Sequence, residues 1–341
     1  AIREGVGLVD ATAFTKHVVK GPGATQFLDW FTCNKLPKIG RINLTYALTS
    51  HGTTRTEYTI VRNGEDSYYL VSAGAWTEYD ADFMRKAAAD KMDEFGYIEI
   101  QDVTTQWGVF AIAGPKSRDV LRDVINDADP DTALSNKRFP WLSARQIELG
   151  MCPVNAIRVA YTGELGWELH HPIEMQNYLF DLLEAAGEKH GMKLVGARAQ
   201  NWLRQEKSYR AFGNELGRDA TPAEADLPRF IDLSKEFHGK DAMVETGVRF
   251  KCVTVLIDGP SDADPWGHEA IYDMDGNRLG RLTSGGYSVA FEKSIGMGYV
   301  TPEAAEVGAA IQIKMQDKLW PAQIVEDSPY DPKNVTIRVD G

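Results

Sequence analysis

Near residues 245–250 the hydrophobic pattern of this chain changes its period, and that change limits the available folds more than any single residue does. Beyond Arg249, Val253, Val255 and Ile257 alternate with polar neighbours, and Ile311, Ile313 and Met315 do the same. That is the two-residue period of strands. Asp275-Gly276 is a hairpin signal, and glycines punctuate the stretch from Gly276 to Gly298. A small all-β domain over residues 250–341 is predicted. Upstream, the helical period dominates. Glu78 to Phe95 carries an apolar stripe at Phe83, Met84, Ala87, Ala88, Met92 and Phe95. The run AIAGPKSRDVL reads as a short strand and a helix opening at Gly114-Pro115. Pro172 opens another helix, with Met175, Tyr178, Leu179, Leu182 and Leu183 facing inward and His190 in its last turn before Gly191. A further helix is expected from about Ala197 to Tyr209. The whole reads as a mixed α+β body over residues 1–245 followed by the β domain.

A length of 341 residues suggests two or three domains, each able to bury a core. The balance of 37 basic to 49 acidic residues, a net charge of −12, argues against a broad nucleic-acid footprint or an anionic membrane surface. A local basic pocket for an anionic small ligand stays open. Cys33, Cys152 and Cys252 are too few and too scattered for a disulfide scaffold or a zinc cluster, which fits a reducing compartment. No apolar run approaches the ~20 residues of a membrane span. The N-terminal AIREGVGLVD is charged almost at once, unlike a signal peptide, and lacks a starting Met. The expectation is either processing or a piece of a longer polypeptide.

Walker, HExxH, GxSxG and paired CxxC motifs are absent. Gly21-Pro22-Gly23 begins like a dinucleotide loop but lacks the third glycine, and Pro22 has no N–H, so a plain turn before a helix is expected. His170 and His171, adjacent on a strand, face opposite sides and cannot share a metal. The chain is therefore not expected to bind a nicotinamide or flavin dinucleotide by itself. Three segments carry more. Arg158 to Leu169 should be strand, tight turn, strand around Gly163 and Gly166. It concentrates Tyr161, Trp167, Glu164 and Glu168 at one bend: an aromatic wall, and carboxylates able to accept paired N–H bonds from a heterocycle. Its bland alternative is a turn with solvated acids. Leu203 to Gly213 is a basic and aromatic helix end, with a solvated terminus as alternative. In Ser50 to Arg62, Gly52 permits a turn and Glu57 starts a β-like run, with a merely exposed acid as alternative.

Taken together, these segments resemble the folate-binding aminomethyltransferase family, the T-protein of the glycine cleavage system and its relatives. The closer likeness is to the C-terminal tetrahydrofolate domain of dimethylglycine dehydrogenase, dimethylglycine oxidase and sarcosine dehydrogenase. It runs nearly end to end, from VGLVDATAFTKHVVKGPGATQFLD through RVAYTGELGWELH and LRQEKSYRAFG to RLTSGGYSVAFEKSIGMGYV and VEDSPYDPKN. The resemblance implies an α+β fold of three domains around a central opening, with two interleaved domains in 1–245 and a C-terminal barrel-like domain in 250–341. It implies that Tyr161 and Glu168 hold the pterin, with Tyr209 lining the same pocket. Arg204 and Lys207 are inferred to meet the glutamate tail of the folate. The family places an Asp in the stretch aligned with SHGTTRTEYTIVR, where this chain has Glu57, and the resemblance assigns Glu57 the catalytic carboxylate. One extra methylene can displace that carboxylate by about 1 Å.

The implied function is the tetrahydrofolate-binding part of a flavin-dependent N-methyl amine demethylase of glycine betaine catabolism. It would capture the one-carbon unit, arriving as iminium or formaldehyde, as 5,10-methylenetetrahydrofolate. FAD is expected only on a domain or subunit absent from this chain. The alternatives are a stand-alone tetrahydrofolate-dependent methyl- or aminomethyltransferase, and a non-catalytic folate-binding module. No nucleic-acid, membrane or metal partner is expected, and the location would be cytoplasmic, or the mitochondrial matrix in a eukaryote.

Overall fold

The computed structural model describes residues 1–260 and 263–340, which form two compact units. The first comprises residues 1–45, 57–196 and those from 334 on; the second comprises 46–56 and 197–333. Among the described residues, no helix is long and apolar enough to cross a membrane.

In chain order the first elements are β1 (Gly7–Asp10), β2 (Thr15–Lys20), α1 (Ala24–Phe31), β3 (Ile42–Leu48), β4 (Thr54–Gly64) and β5 (Ser67–Ser72). Next come α2 (Thr77–Phe95), β6 (Glu99–Asp102), β7 (Trp107–Ala113), α3 (Ser117–Val124) and α4 (Pro130–Ala133). Then follow β8 (Ala144–Leu149), β9 (Cys152–Ile157), β10 (Gly166–Pro172), α5 (Gln176–Glu188) and β11 (Lys193–Leu194). Two sheets result, ordered β11-β1-β7-β10-β9-β8 and β3-β4-β5-β2-β6. On β10 the side chains alternate faces. Trp167 and Leu169, both 0% exposed, join Val120 and Leu121 of α3 and Leu179 and Leu183 of α5 in one apolar cluster. A second cluster joins Val61, Tyr69 and Val71 of one sheet to Ala144 and Ile157 of the other, so the two sheets share a core.

Residues 197–333 hold α6 (Ala197–Glu206), α7 (Lys240–Thr246), β12 (Lys251–Ile257), β13 (Ala270–Tyr272), β14 (Arg278–Ser288), β15 (Lys293–Val300), β16 (Ala310–Met315) and β17 (Lys318–Val325). The six strands close into a barrel, β12-β15-β14-β13-β16-β17, filled by Val253, Val255, Ile257, Ile311, Ile313 and Met315 among others. The expected α+β class with a C-terminal all-β barrel is what the chain adopts. The outer face of β12 is not solvated as simple alternation implies: Cys252 and Thr254 are buried too. Ser208 covers it, its hydroxyl 2.7 Å from that of Thr254.

Local expectations shift in three places, one of them the helix expected to reach Tyr209, which ends at Glu206. The helix after β7 starts at Ser117 rather than Gly114-Pro115, because residues 114–117 form a turn of their own, closed by Ser117 N–H to the Gly114 carbonyl at 2.9 Å. Met92 does not face inward; it is 42% exposed. Lys91 takes that place, laying its ammonium 4.8 Å from the Trp30 ring and 5.5 Å from Phe95. The Gly21–Gly23 segment is a turn entering α1, with the N–H groups of Gly21 and Gly23 donated to the carbonyls of Asp66 and Tyr97, not free to cradle a phosphate.

Candidate functional site

Strand β9 ends at Ile157 and β10 begins at Gly166, so residues 158–165 make the bend expected from the sequence. Gly163 lies at φ +78°, a conformation that disfavours any Cβ. The bend is held from several sides. Gly163 N–H donates to the Ala160 carbonyl at 3.3 Å, and the Leu165 carbonyl accepts from Gly114 N–H at 2.8 Å and from the Ser117 hydroxyl at 3.2 Å. Arg3 donates to the Thr162 carbonyl and to the Glu164 carboxylate, both at 2.8 Å. The Thr336 hydroxyl donates to the Gly163 carbonyl at 3.1 Å.

Two residues of the expected heterocycle grip are taken up by this scaffold. Trp167 is not an aromatic wall: it is fully buried, with the Arg158 and Arg118 guanidiniums 5.5 and 5.8 Å from its ring. Burial, then repulsion from Arg118, pushes Arg158 down to about 10. Glu164 is 2% exposed and paired with Arg3, so its carboxylate serves the bend. Tyr161, within the bend, and Glu168, the third residue of β10, are both half-buried.

Glu168 has a neighbour that sequence reasoning missed. On a strand, residue 170 shares the face of residue 168, and His170 Nε2 lies 3.3 Å from Glu168 Oε2. His170 Nδ1 in turn lies 3.0 Å from the Tyr69 hydroxyl on β5. The i, i+2 spacing was a readable signal for His170; Tyr69, 101 residues away, left none. Burial, with the charge of Glu168 added, pushes the Tyr69 phenol well above its ordinary value, so it keeps its proton. His171 faces the other way, as the strand alternation implies, stacked on Phe110 at 5.1 Å and bonded to Gln176 at 2.7 Å.

Glu57 sits on β4, half-buried, with Tyr58 fully buried on the opposite face. The preceding hairpin turns at Gly52, φ +76°, where a Cβ would lie 2.3 Å from the Met243 nitrogen. Tyr209, half-buried, follows α6 in the second unit. Arg204 and Lys207 are not available to an anionic tail. Arg204 bonds Glu215 at 3.0 Å, the Tyr209 carbonyl at 2.7 Å and Ser284 at 2.7 Å, while Lys207 caps the carbonyls of Tyr330 and Asp331 at 3.1 and 2.6 Å. Burial alone would raise Glu215, but Arg204, Ser284, the Ala211 N–H and Thr283 outweigh it and hold the carboxyl below its ordinary value. Arg204 is a strut against a buried charge, and Lys207 ties down the backbone at 330–331. A cleft of about 630 Å³ in the second unit, lined by Arg198, Trp202, Trp266 and Tyr287 among others, includes none of Glu57, Tyr161, Glu168 and Tyr209. Among the described residues, no three His, Cys, Asp or Glu side chains group closely enough to hold a metal ion.

Comparison with known proteins agrees with this architecture. Residues 1–235 match the family model described as the GCVT N-terminal domain, and residues 251–331 match the glycine cleavage T-protein C-terminal barrel domain. The chain is 34% identical to mitochondrial dimethylglycine dehydrogenase of Mus musculus over its whole length, spanning 39% of that relative. It is 30% identical to a probable aminomethyltransferase of Thermococcus kodakarensis, over 98% of this chain and 88% of the relative. The crystal structure of glycine cleavage system aminomethyltransferase T from Bartonella henselae superposes with a TM-score of 0.83 at 23% identity, covering 97% of this chain and 88% of that one, which shows the shared fold. The chain belongs to the glycine cleavage T-protein (aminomethyltransferase) family.

Proposed function

We propose that this member of the T-protein family binds tetrahydrofolate and captures a one-carbon unit on it, as the folate part of a flavin-dependent N-methyl amine demethylase. The observation that carries the folate assignment is the Glu168 carboxylate. It is 13% exposed, backed on one oxygen by His170, and fixed at the end of a bend held at several points. Such an acceptor fits the ring N–H and amino group of a pterin, with half-buried Tyr161 as the flat companion surface. Tetrahydrofolate, once bound, supplies the two nitrogens that take the carbon as 5,10-methylenetetrahydrofolate. Glu57 we assign to the reacting end, where a carboxylate stabilises developing cationic charge. Tyr209 is assigned as a folate contact on the sequence resemblance alone. We place the folate-binding region in residues 1–245, the barrel domain in 250–333, and FAD outside this chain.

The membership in a demethylase is supported by the match of the whole chain to a dimethylglycine dehydrogenase. A stand-alone aminomethyltransferase is the second reading, supported by the 88% of the Thermococcus relative that this chain spans. The length of the gene product upstream of Ala1, and flavin absorbance in the purified native protein, separate the two. The folate assignment is tested by calorimetry with tetrahydrofolate and by methylenetetrahydrofolate formation from formaldehyde. Glu168→Ala should weaken binding by roughly 1.5–3 kcal/mol, the scale of a hydrogen bond to a charged group. Glu57→Gln should spare affinity and slow turnover. Unchanged affinity in Glu168→Ala removes Glu168 from the site.

A further inference from the structure

We infer that Tyr69 and His170 form a positioning relay that fixes the imidazole tautomer and thereby holds the Glu168 carboxylate in one orientation for its ligand. The geometry is specific. Tyr69 and His170 are 4% and 0% exposed, their rings meet edge to face at 5.4 Å and 88°, and the three polar groups stand in line at 3.0 and 3.3 Å. The line joins the two sheets of the first unit, since Tyr69 lies on β5 and the other two on β10.

Proton placement follows from counting donors. Tyr69 keeps its proton, as its raised phenol pKa requires, and the partner recorded for its hydroxyl is His170 Nδ1. The phenol therefore donates to Nδ1, which must carry a lone pair. The one ring proton then sits on Nε2 and points at Glu168 Oε2. With the opposite tautomer, an Nε2 lone pair would face a carboxylate oxygen at 3.3 Å with no proton between them, a costly arrangement beside a fully buried ring. A doubly protonated ring would leave the buried Tyr69 proton without that acceptor, which is costly in its turn. One oxygen of Glu168 is thus engaged from within the protein. Trp107, its ring 6.4 Å from that of Tyr69, packs beside the relay.

The affinity arm of the test rests on the folate reading above; the spectroscopic arm does not. Imidazole nitrogen NMR on the full chain, with His170 identified among the seven histidines by its loss in His170→Gln, should show a bare Nδ1 and a protonated Nε2. Tyr69→Phe should shift the Nδ1 signal, as the hydrogen bond from the phenol is lost, and admit a minor share of the opposite tautomer that Glu168 alone disfavours. For tetrahydrofolate binding, Tyr69→Phe should raise the dissociation constant about 5- to 10-fold, the worth of one hydrogen bond. In the His170→Gln background, where the side-chain amide has no tautomer to lose, the same change should alter it less than about twofold. Equal effects of Tyr69→Phe in both backgrounds would overturn the relay, as would a protonated Nδ1 in the parent protein. If Glu168→Gln leaves folate affinity unchanged, the assignment of Glu168 to the folate site fails instead, and the nitrogen spectrum still decides the relay.

Discussion

The Lys16 ammonium, fully buried, donates to the carbonyls of Thr12, Thr104 and Trp107 at 2.7, 3.1 and 2.8 Å. Burial pushes its pKa down to about 8, and Asp10 and Asp102 offset only part of that. With the folded value below the unfolded value near 10.5, both states hold the proton below about pH 8. Between about pH 8 and 10.5 the unfolded chain binds more protons, so this group makes stability rise with pH across that window. An NMR titration of lysine side chains should find Lys16 with a midpoint near 8. A Lys16 midpoint near 10 would show that the three carbonyls outweigh burial. The same physics acts on two of the three cysteines. Cys152 and Cys252 are pushed up to about 11 and 12 by burial, which leaves both as protonated, unreactive thiols at neutral pH.

At the scale of elements, the bend between β9 and β10 does most of the positioning. It sends Trp167 into the core and Glu168 to the opposite face, and its own carbonyls are tied to α3, Arg3 and Thr336. Gly163→Ala places a Cβ at φ +78° and should destabilise the protein by about 1–2 kcal/mol in urea unfolding. It should also weaken folate binding by moving Tyr161 relative to Glu168; an unaltered unfolding midpoint would show the bend to be soft. Much of this level was legible in the sequence. Barrel strands announced themselves by period, and the glycines of the bend marked the turn. The helix after Pro172 buries its expected face, with Leu179 and Leu183 at 0% exposure. Buried charge was not legible. Arg204 and Lys207 look like a solvated helix end until Glu215, Tyr330 and Asp331 close over them, and those partners are distant in sequence. Residue type alone points Trp167 at a ligand, whereas strand alternation puts it on the face opposite Glu168 and into the core.

Across the whole molecule, local pattern says little about which unit a segment joins. The hairpin tip at 46–56 belongs with residues 197–333, and the stretch from 334 on belongs with the first unit. That last stretch is well anchored there: Ile337 is 3% exposed, Arg118 donates to the Val339 carbonyl at 3.0 Å, and Asn136 donates to Arg338 and Asp340. Removing residues from 334 on should therefore loosen the first unit and spare the barrel. Hydrogen exchange should rise at the bend, around Asn136 and in α3, with barrel strands unchanged; faster exchange in the barrel strands instead would contradict that assignment. The same interleaving bears on biosynthesis. A ribosome emitting about 5–20 residues each second releases all of residues 197–333 before the strap that completes the first unit. The barrel can thus finish while its predecessor waits on the order of 10 s for a handful of residues, an interval in which a nascent-chain chaperone would find the first unit open.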